Sequence, residues 1–141
     1  MTEARAIVAL TDTEAAEFFP GRMWAELEGI LPGHRRVRLP INDASAWQKL
    51  WKDSPAEILV SAWQTPPLNG PLKPEDLRPL RYVCYLAGSV RRLVPRELVA
   101  NGVIVTNWGS SISATVAECT LMLILMALRR ASHWAVAMHR E

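Results

Sequence analysis

Cysteine is scarce in this sequence. Two residues in 141, Cys84 and Cys119, can build neither a disulfide framework nor a zinc knuckle. Both stand in apolar contexts, where a free, buried thiol is expected. Glycine is sparse as well. The seven glycines are Gly21, Gly29, Gly33, Gly70, Gly88, Gly102 and Gly109, and no two are separated by a single residue. That spacing excludes the G-x-G-x-x-G fingerprint for dinucleotides, and a P-loop is missing too. The three histidines, His34, His133 and His139, have no acid at a spacing that suggests a catalytic pair. His133 and His139 do not share a helix face. All three are expected at the surface or at helix ends.

Long hydrophobic runs are also missing. The longest, Leu121–Leu128, has eight residues and is closed by Arg129 and Arg130. A membrane span needs roughly 20. The first residues lack the basic start and apolar run of a signal peptide. A reducing, cytoplasmic setting with no membrane is expected. Excess charge of one sign is absent, since 16 Lys+Arg against 14 Asp+Glu leave a net +2. That is too balanced for a nucleic-acid surface. The charge is uneven along the chain. Residues 1–60 carry seven basic and nine acidic side chains, and residues 61–141 carry nine and five. An anion site is therefore expected in the second part.

What is present is a rhythm of short apolar runs and helical patterns. Ala6–Leu10 is a continuous apolar run, read as a buried strand, and Thr11-Asp12-Thr13 then caps a helix. That helix breaks near Pro20-Gly21. It resumes with Met23, Leu27 and Ile30 on one face and ends at Pro32-Gly33. Arg35–Leu39 reads as a second strand. Asn42-Asp43 caps a helix carrying Trp47, Leu50 and Trp51. Glu57–Ser61 is a third strand. Six of the ten prolines fall between Pro55 and Pro79, which makes a loop, with a short helix starting at Pro74-Glu75-Asp76-Leu77. Glu75 and Asp76 read as first-turn helix charges rather than an acid pair. Arg81–Leu86 is a fourth strand, Pro95–Asn101 a short helix stopped by Gly102, and Val103–Asn107 a fifth strand. No Gly or Pro follows Gly109, so a long helix is expected from Ser113, with its interior buried nearly all round.

Continuous apolar strands alternating with helices predict a parallel sheet covered on both faces. Ligands of such sheets bind beyond the carboxyl ends of the strands. The loops to inspect are Thr11–Thr13, Ala62–Leu68, Ala87–Val90 and Asn107–Ser113. A receiver domain would want an acid closing the third strand, where Ser61-Ala62-Trp63 stands. A flavin domain would want a Ser/Thr/Gly-rich loop after the first strand, and Thr11–Glu14 has no glycine. The turn Ala87-Gly88-Ser89-Val90 exposes backbone N–H groups, and Arg91-Arg92 directly follow it. Such a turn suits a carboxylate or phosphate. Trp63 and Trp108 end the third and fifth strands on that same side, where they wall a ligand or pack under their own loops.

The segment from Arg81 to Arg130 resembles the D-isomer-specific 2-hydroxyacid dehydrogenases, best known from their phosphoglycerate dehydrogenase branch. Members run an apolar strand into Gly-x-Gly-Val, then Asp-Asn-Ile-Asp, a short helix, Gly-Ile-Val-Val-x-Asn, a small-residue loop, and Ser-Val-Ala-Glu opening a long apolar helix that ends in Arg. Here the corresponding residues are Ala87–Val90, Arg91–Val94, Gly102–Asn107, Thr115-Val116-Ala117-Glu118 and Arg129-Arg130, in order and without a gap. The resemblance implies a flavodoxin-like substrate domain over 1–110 with a five-stranded parallel sheet. Residues 111–141 would be a long helix leading toward a nucleotide-binding domain beyond this chain. It implies that Gly88 touches the nicotinamide end of NAD or NADP. It also implies that the N–H groups of Ser89 and Val90 receive the carboxylate of a small 2-hydroxy or 2-oxo acid, with Arg91 and Arg92 beside them. The family's catalytic Arg, Glu and His lie beyond Glu141, so none is assigned, and tight cofactor binding by this chain is not expected. Ala87 and Ser89 replace the family's glycines, which reduces backbone freedom. Arg91-Arg92 replace Asp-Asn, which reverses the local charge. Ile112 stands where formate-oxidising relatives have Asn, which argues against formate. The activity implied is oxidation or reduction at a 2-hydroxy or 2-oxo acid. Self-association into a dimer is expected through residues 116–138. The other readings are a stand-alone interaction module whose helix from Ser113 docks on a partner, and a degenerate protein with no ligand.

Overall fold

The computed structural model describes residues 5–38, 44–70 and 72–139. Five strands form one all-parallel sheet: β1 (Ala6–Leu10), β2 (Arg35–Arg38), β3 (Ile58–Ser61), β4 (Tyr82–Tyr85) and β5 (Ile104–Thr106). Their order is β2-β1-β3-β4-β5, the flavodoxin-like arrangement. Six helices accompany them among the described residues: α1 (Asp12–Phe18), α2 (Met23–Ile30), α3 (Ala44–Asp53), α4 (Arg96–Ala100), α5 (Ser113–Leu128) and α6 (Ala131–Met138). Two compact units result, Met1–Trp108 and Gly109–Glu141.

β1 is buried at all five positions because it lies between β2 and β3 with layers on both faces, so its apolar run is continuous. Alternate strand residues feed two cores. Ile7, Ala9, Leu59, Val83 and Tyr85 join Trp47, Leu50 and Trp51 of α3 on one face. Val8, Leu10, Val60 and Ala62 meet Phe18 of α1 and Trp24 and Leu27 of α2 on the other. Trp47 and Trp51 are both fully buried, edge to face at 5.8 Å. Removing one such indole costs about 3–5 kcal/mol.

Several local expectations are corrected. The buried side of α2 is Trp24 and Leu27 with Leu31, whereas Met23 and Ile30 are exposed. Residues 74–79 form turns, not an α-helix: the Asp76 carboxylate accepts from the Lys73 N–H at 3.0 Å as at a helix start, but the backbone N–H groups of Asp76, Arg78 and Leu80 each donate to the carbonyl three residues back. Asn42 and Asp43 lie outside the described residues. His34 is buried rather than superficial, its Nδ1 3.0 Å from the Leu31 carbonyl. Cys84 is half-buried and Cys119 is exposed, so neither is a deeply buried thiol. Gly102, at φ +92°, takes up the turn into β5 that an L side chain would resist.

The C-terminal unit departs most. The helix starting at Ser113 ends at Leu128, not near residue 138. The chain turns at Arg129-Arg130, where Arg130 adopts φ +51°, and α6 follows. Neither helix has a buried residue, and Leu121, Ile124 and Leu125 are each more than half exposed. The expected all-round burial is therefore not found. No helix among the described residues is long and apolar enough to cross a membrane.

Candidate functional site

In a sheet of this order the chain reverses its winding between β1 and β3, and a crevice opens there beyond the carboxyl ends. In this protein that crevice holds its own carboxylate. Thr11 caps α1, and Glu14 completes the capping box. Glu14 Oε2 accepts from the Thr11 N–H at 3.0 Å and from the Thr11 hydroxyl at 3.1 Å. Glu14 Oε1 reaches across to the loop after β3 and accepts from the Gln64 N–H at 2.8 Å. Thr65 tightens the same loop. Its hydroxyl donates to the Ala9 carbonyl at 3.0 Å and accepts from the Ala62 N–H at 3.1 Å. A phosphate or flavin tail would find the crevice filled by a residue only 3% exposed.

The open donors stand one strand further along, beyond β4. The turn Ala87–Val90 is fixed through its carbonyls. Trp108 N–H donates to the Ala87 carbonyl at 3.1 Å, and Asn107 Nδ2 donates to the Gly88 carbonyl. In a trans peptide the following N–H points opposite its carbonyl. The N–H groups of Gly88 and Ser89 therefore point away from β5. Val90 turns its carbonyl inward, to the N–H groups of Leu93 and Val94 at 3.0 and 2.9 Å. Among the described residues, the N–H groups of Gly88, Ser89 and Val90 donate to no protein acceptor. Ser89 is exposed, Gly88 is half-buried, and Val90 packs against the α3-side core. A Cβ built on Gly88 meets nothing within 4 Å, so the turn faces open space.

The two arginines after the turn separate. Arg92 swings back so that its guanidinium donates to the Trp63 carbonyl, which joins the β3 and β4 loops. Arg91 lines a groove of about 600 Å³ with Val90, Arg96 and Val99, on the α4 side. The sequence-predicted tryptophans meet: Trp63 and Trp108 lie 6.1 Å apart, and Phe18 touches both at 4.9 and 5.8 Å. Trp63 remains 40% exposed, so this aromatic wall is open on one side. Tyr85 closes β4 just before the turn. Burial raises its phenol above the ordinary 10.0; Arg92 opposes the rise and Glu14 adds to it.

Sequence reasoning missed Glu14 and Tyr85. Glu14 reads locally as a helix cap, and its link to Gln64 spans fifty residues. Tyr85 reads as a strand residue. Only the expectation that ligands sit beyond strand ends points to either. Among the described residues no cluster of three His, Cys, Asp or Glu side chains is placed to hold a metal ion. The chain matches no family model, no curated protein and no solved structure.

Proposed function

We propose that this chain is the substrate domain of an NAD(P)-dependent D-2-hydroxyacid dehydrogenase, and that its share of the reaction is to hold the acid's carboxylate. The observation that carries this reading is the turn after β4. The Ala87 and Gly88 carbonyls are pinned by Trp108 and Asn107, and the N–H groups of Gly88, Ser89 and Val90 are left without protein acceptors. Arg91 and Arg92 follow in sequence, Arg92 turned to the Trp63 carbonyl and Arg91 to the α4-side groove. Preorganised N–H donors receive an oxyanion with little reorganisation. The motif order falls on matching elements. The turn closes β4, Gly102 leads into β5 and Asn107 follows it, and Thr115–Glu118 opens α5.

A bound nicotinamide cofactor would give hydride to the 2-oxo acid or take it from the 2-hydroxy acid. Of the residues here only Gly88, where a Cβ would meet nothing within 4 Å, stands at a position that would face the nicotinamide end. These residues hold no G-x-G-x-x-G cradle for the pyrophosphate, so this chain alone should bind no NADH at millimolar concentration. Calorimetric titration with pyruvate tests the carboxylate reading. Weak binding by the wild type, lost by several-fold in the Arg91→Ala/Arg92→Ala double variant, is the expected result. Equal affinity in both proteins would sink it.

A second reading has its own support. The exposed apolar side chains of α5 and α6 suit docking on a partner, as an interaction module would require. On that reading pyruvate does not bind and the isolated chain self-associates.

A further inference from the structure

The edge strand β2 carries arginines on one face. By register Arg36 lies beside Val8 and Arg38 beside Leu10, on the side of the sheet that α1 and α2 cover. Arginine stems in that position extend an apolar surface while their charged ends stay in water. A cavity of about 300 Å³ opens there, lined by Val8, Leu10, Ala15 and Ala16 together with Trp24 and Arg36. Asp12 and Arg38 also line it and pair with each other at 3.0 Å, so the one carboxylate at the cavity is already neutralised.

Arg36 is exposed yet held in place. Its guanidinium carbon stands 3.7 Å over the Trp24 ring. Its Nε donates to Nε2 of the buried His34 at 3.4 Å. His34 is fixed in turn. Its Nδ1 faces two acceptors, the Leu31 carbonyl at 3.0 Å and the Glu28 carboxylate at 3.2 Å, so that nitrogen carries the proton and Nε2 accepts. Among the described residues the two terminal nitrogens of Arg36 donate to no protein acceptor. A guanidinium whose plane is set and whose outer donors are free is a fork for a carboxylate. This one borders an apolar cavity.

We propose that the cavity binds a short-chain aliphatic carboxylate, held by two parallel N–H···O bonds from Arg36, with its alkyl tail along Val8, Leu10, Ala15 and Ala16. Arg36 and Phe19 already stack on Trp24, at 3.7 and 4.6 Å, so the remaining lining is aliphatic and suits an alkyl tail better than a ring. The volume is at the small end of ligand sites, which admits a short tail and excludes a long fatty acid. The site is separate from the turn beyond β4. Its donors are a side chain rather than backbone, its ligand needs a tail, and neither reading depends on the other.

The test is calorimetric titration of the full chain with hexanoate, with 1-hexanol and pyruvate as comparison ligands. Hexanoate should bind, and 1-hexanol, which has the tail but no charge, should bind more weakly by about tenfold. Arg36→Ala should lower hexanoate affinity roughly 5–20-fold, the worth of a charge-assisted pair partly open to water, and leave pyruvate within about twofold. Ala16→Phe, at an exposed position of α1, fills the cavity without touching the fold and should abolish hexanoate binding. Hexanoate affinity that either variant leaves unchanged overturns the site, as does equal affinity for hexanoate and 1-hexanol. A chain that binds pyruvate but not hexanoate also overturns it and leaves the carboxylate reading beyond β4 standing. Hexanoate binding that both variants weaken, in a chain that does not bind pyruvate, upholds this site and overturns that reading.

Discussion

The two units of this chain spend similar residues on opposite outcomes. In Met1–Trp108 the Leu, Val, Ile and Trp side chains are divided by strand alternation between two layers, and each layer has helices or loops to meet it. In Gly109–Glu141 an even denser apolar stretch, Leu121–Leu128, stands exposed at every position. Apolar composition says that a side chain gains from leaving water. It does not say that the chain carries the surface to meet it. A helix apolar all round belongs in a core, a membrane or an interface, and α5, at 16 residues, falls short of a span.

The comparison is sharpest at single residues. Trp51→Ala should cost about 3–5 kcal/mol in urea unfolding. Leu125→Ala, at 52% exposure, should cost under about 0.5 kcal/mol in the monomer. Equal costs would mean that the two units are not energetically distinct. Next in size is Glu14→Ala. It frees two N–H groups and the join between the β1 and β3 loops, for an expected loss of about 1–3 kcal/mol. A loss no larger than that of an exposed carboxylate would show that the crevice does not depend on it.

Association tests the other unit. Light scattering of the concentrated chain should show self-association that the Leu121→Glu/Leu125→Glu variant abolishes. A strictly monomeric wild type would count against an interface there. The smallest effect concerns alkaline pH. The Tyr85 phenol ionises later folded than unfolded, so its contribution is full below the unfolded value of 10.0 and fades as pH rises through the folded one. Stability should therefore decline less steeply above about pH 10 in Tyr85→Phe. Identical alkaline limbs would show that the phenol is not differentially titrated.

Much of the sheet was legible because local signals and burial agree in it. The unbroken Ala6–Leu10 run, the Thr11 cap and the paired Trp47 and Trp51 each carry their own pattern. The short helix at residues 74–77 was misread because first-turn acids look alike whether they cap a helix or fold back on a turn, as Asp76 does. The break at Arg130 leaves no trace, since a left-handed arginine is rare and no Gly or Pro marks it. In the candidate site, the turn was legible from its small residues. The partings of Arg91 and Arg92 and the burial of Glu14 depend on contacts between loops far apart in sequence, which periodicity does not encode.

The most direct measurement is amide mapping of the ¹⁵N-labelled chain during a pyruvate titration. The expected result is that the N–H signals of Gly88, Ser89 and Val90 move first and furthest, while those of Thr11 and Gln64, already bound to Glu14, stay in place. Movement centred on Thr11 and Gln64, or no localised movement at all, would contradict an oxyanion site beyond β4.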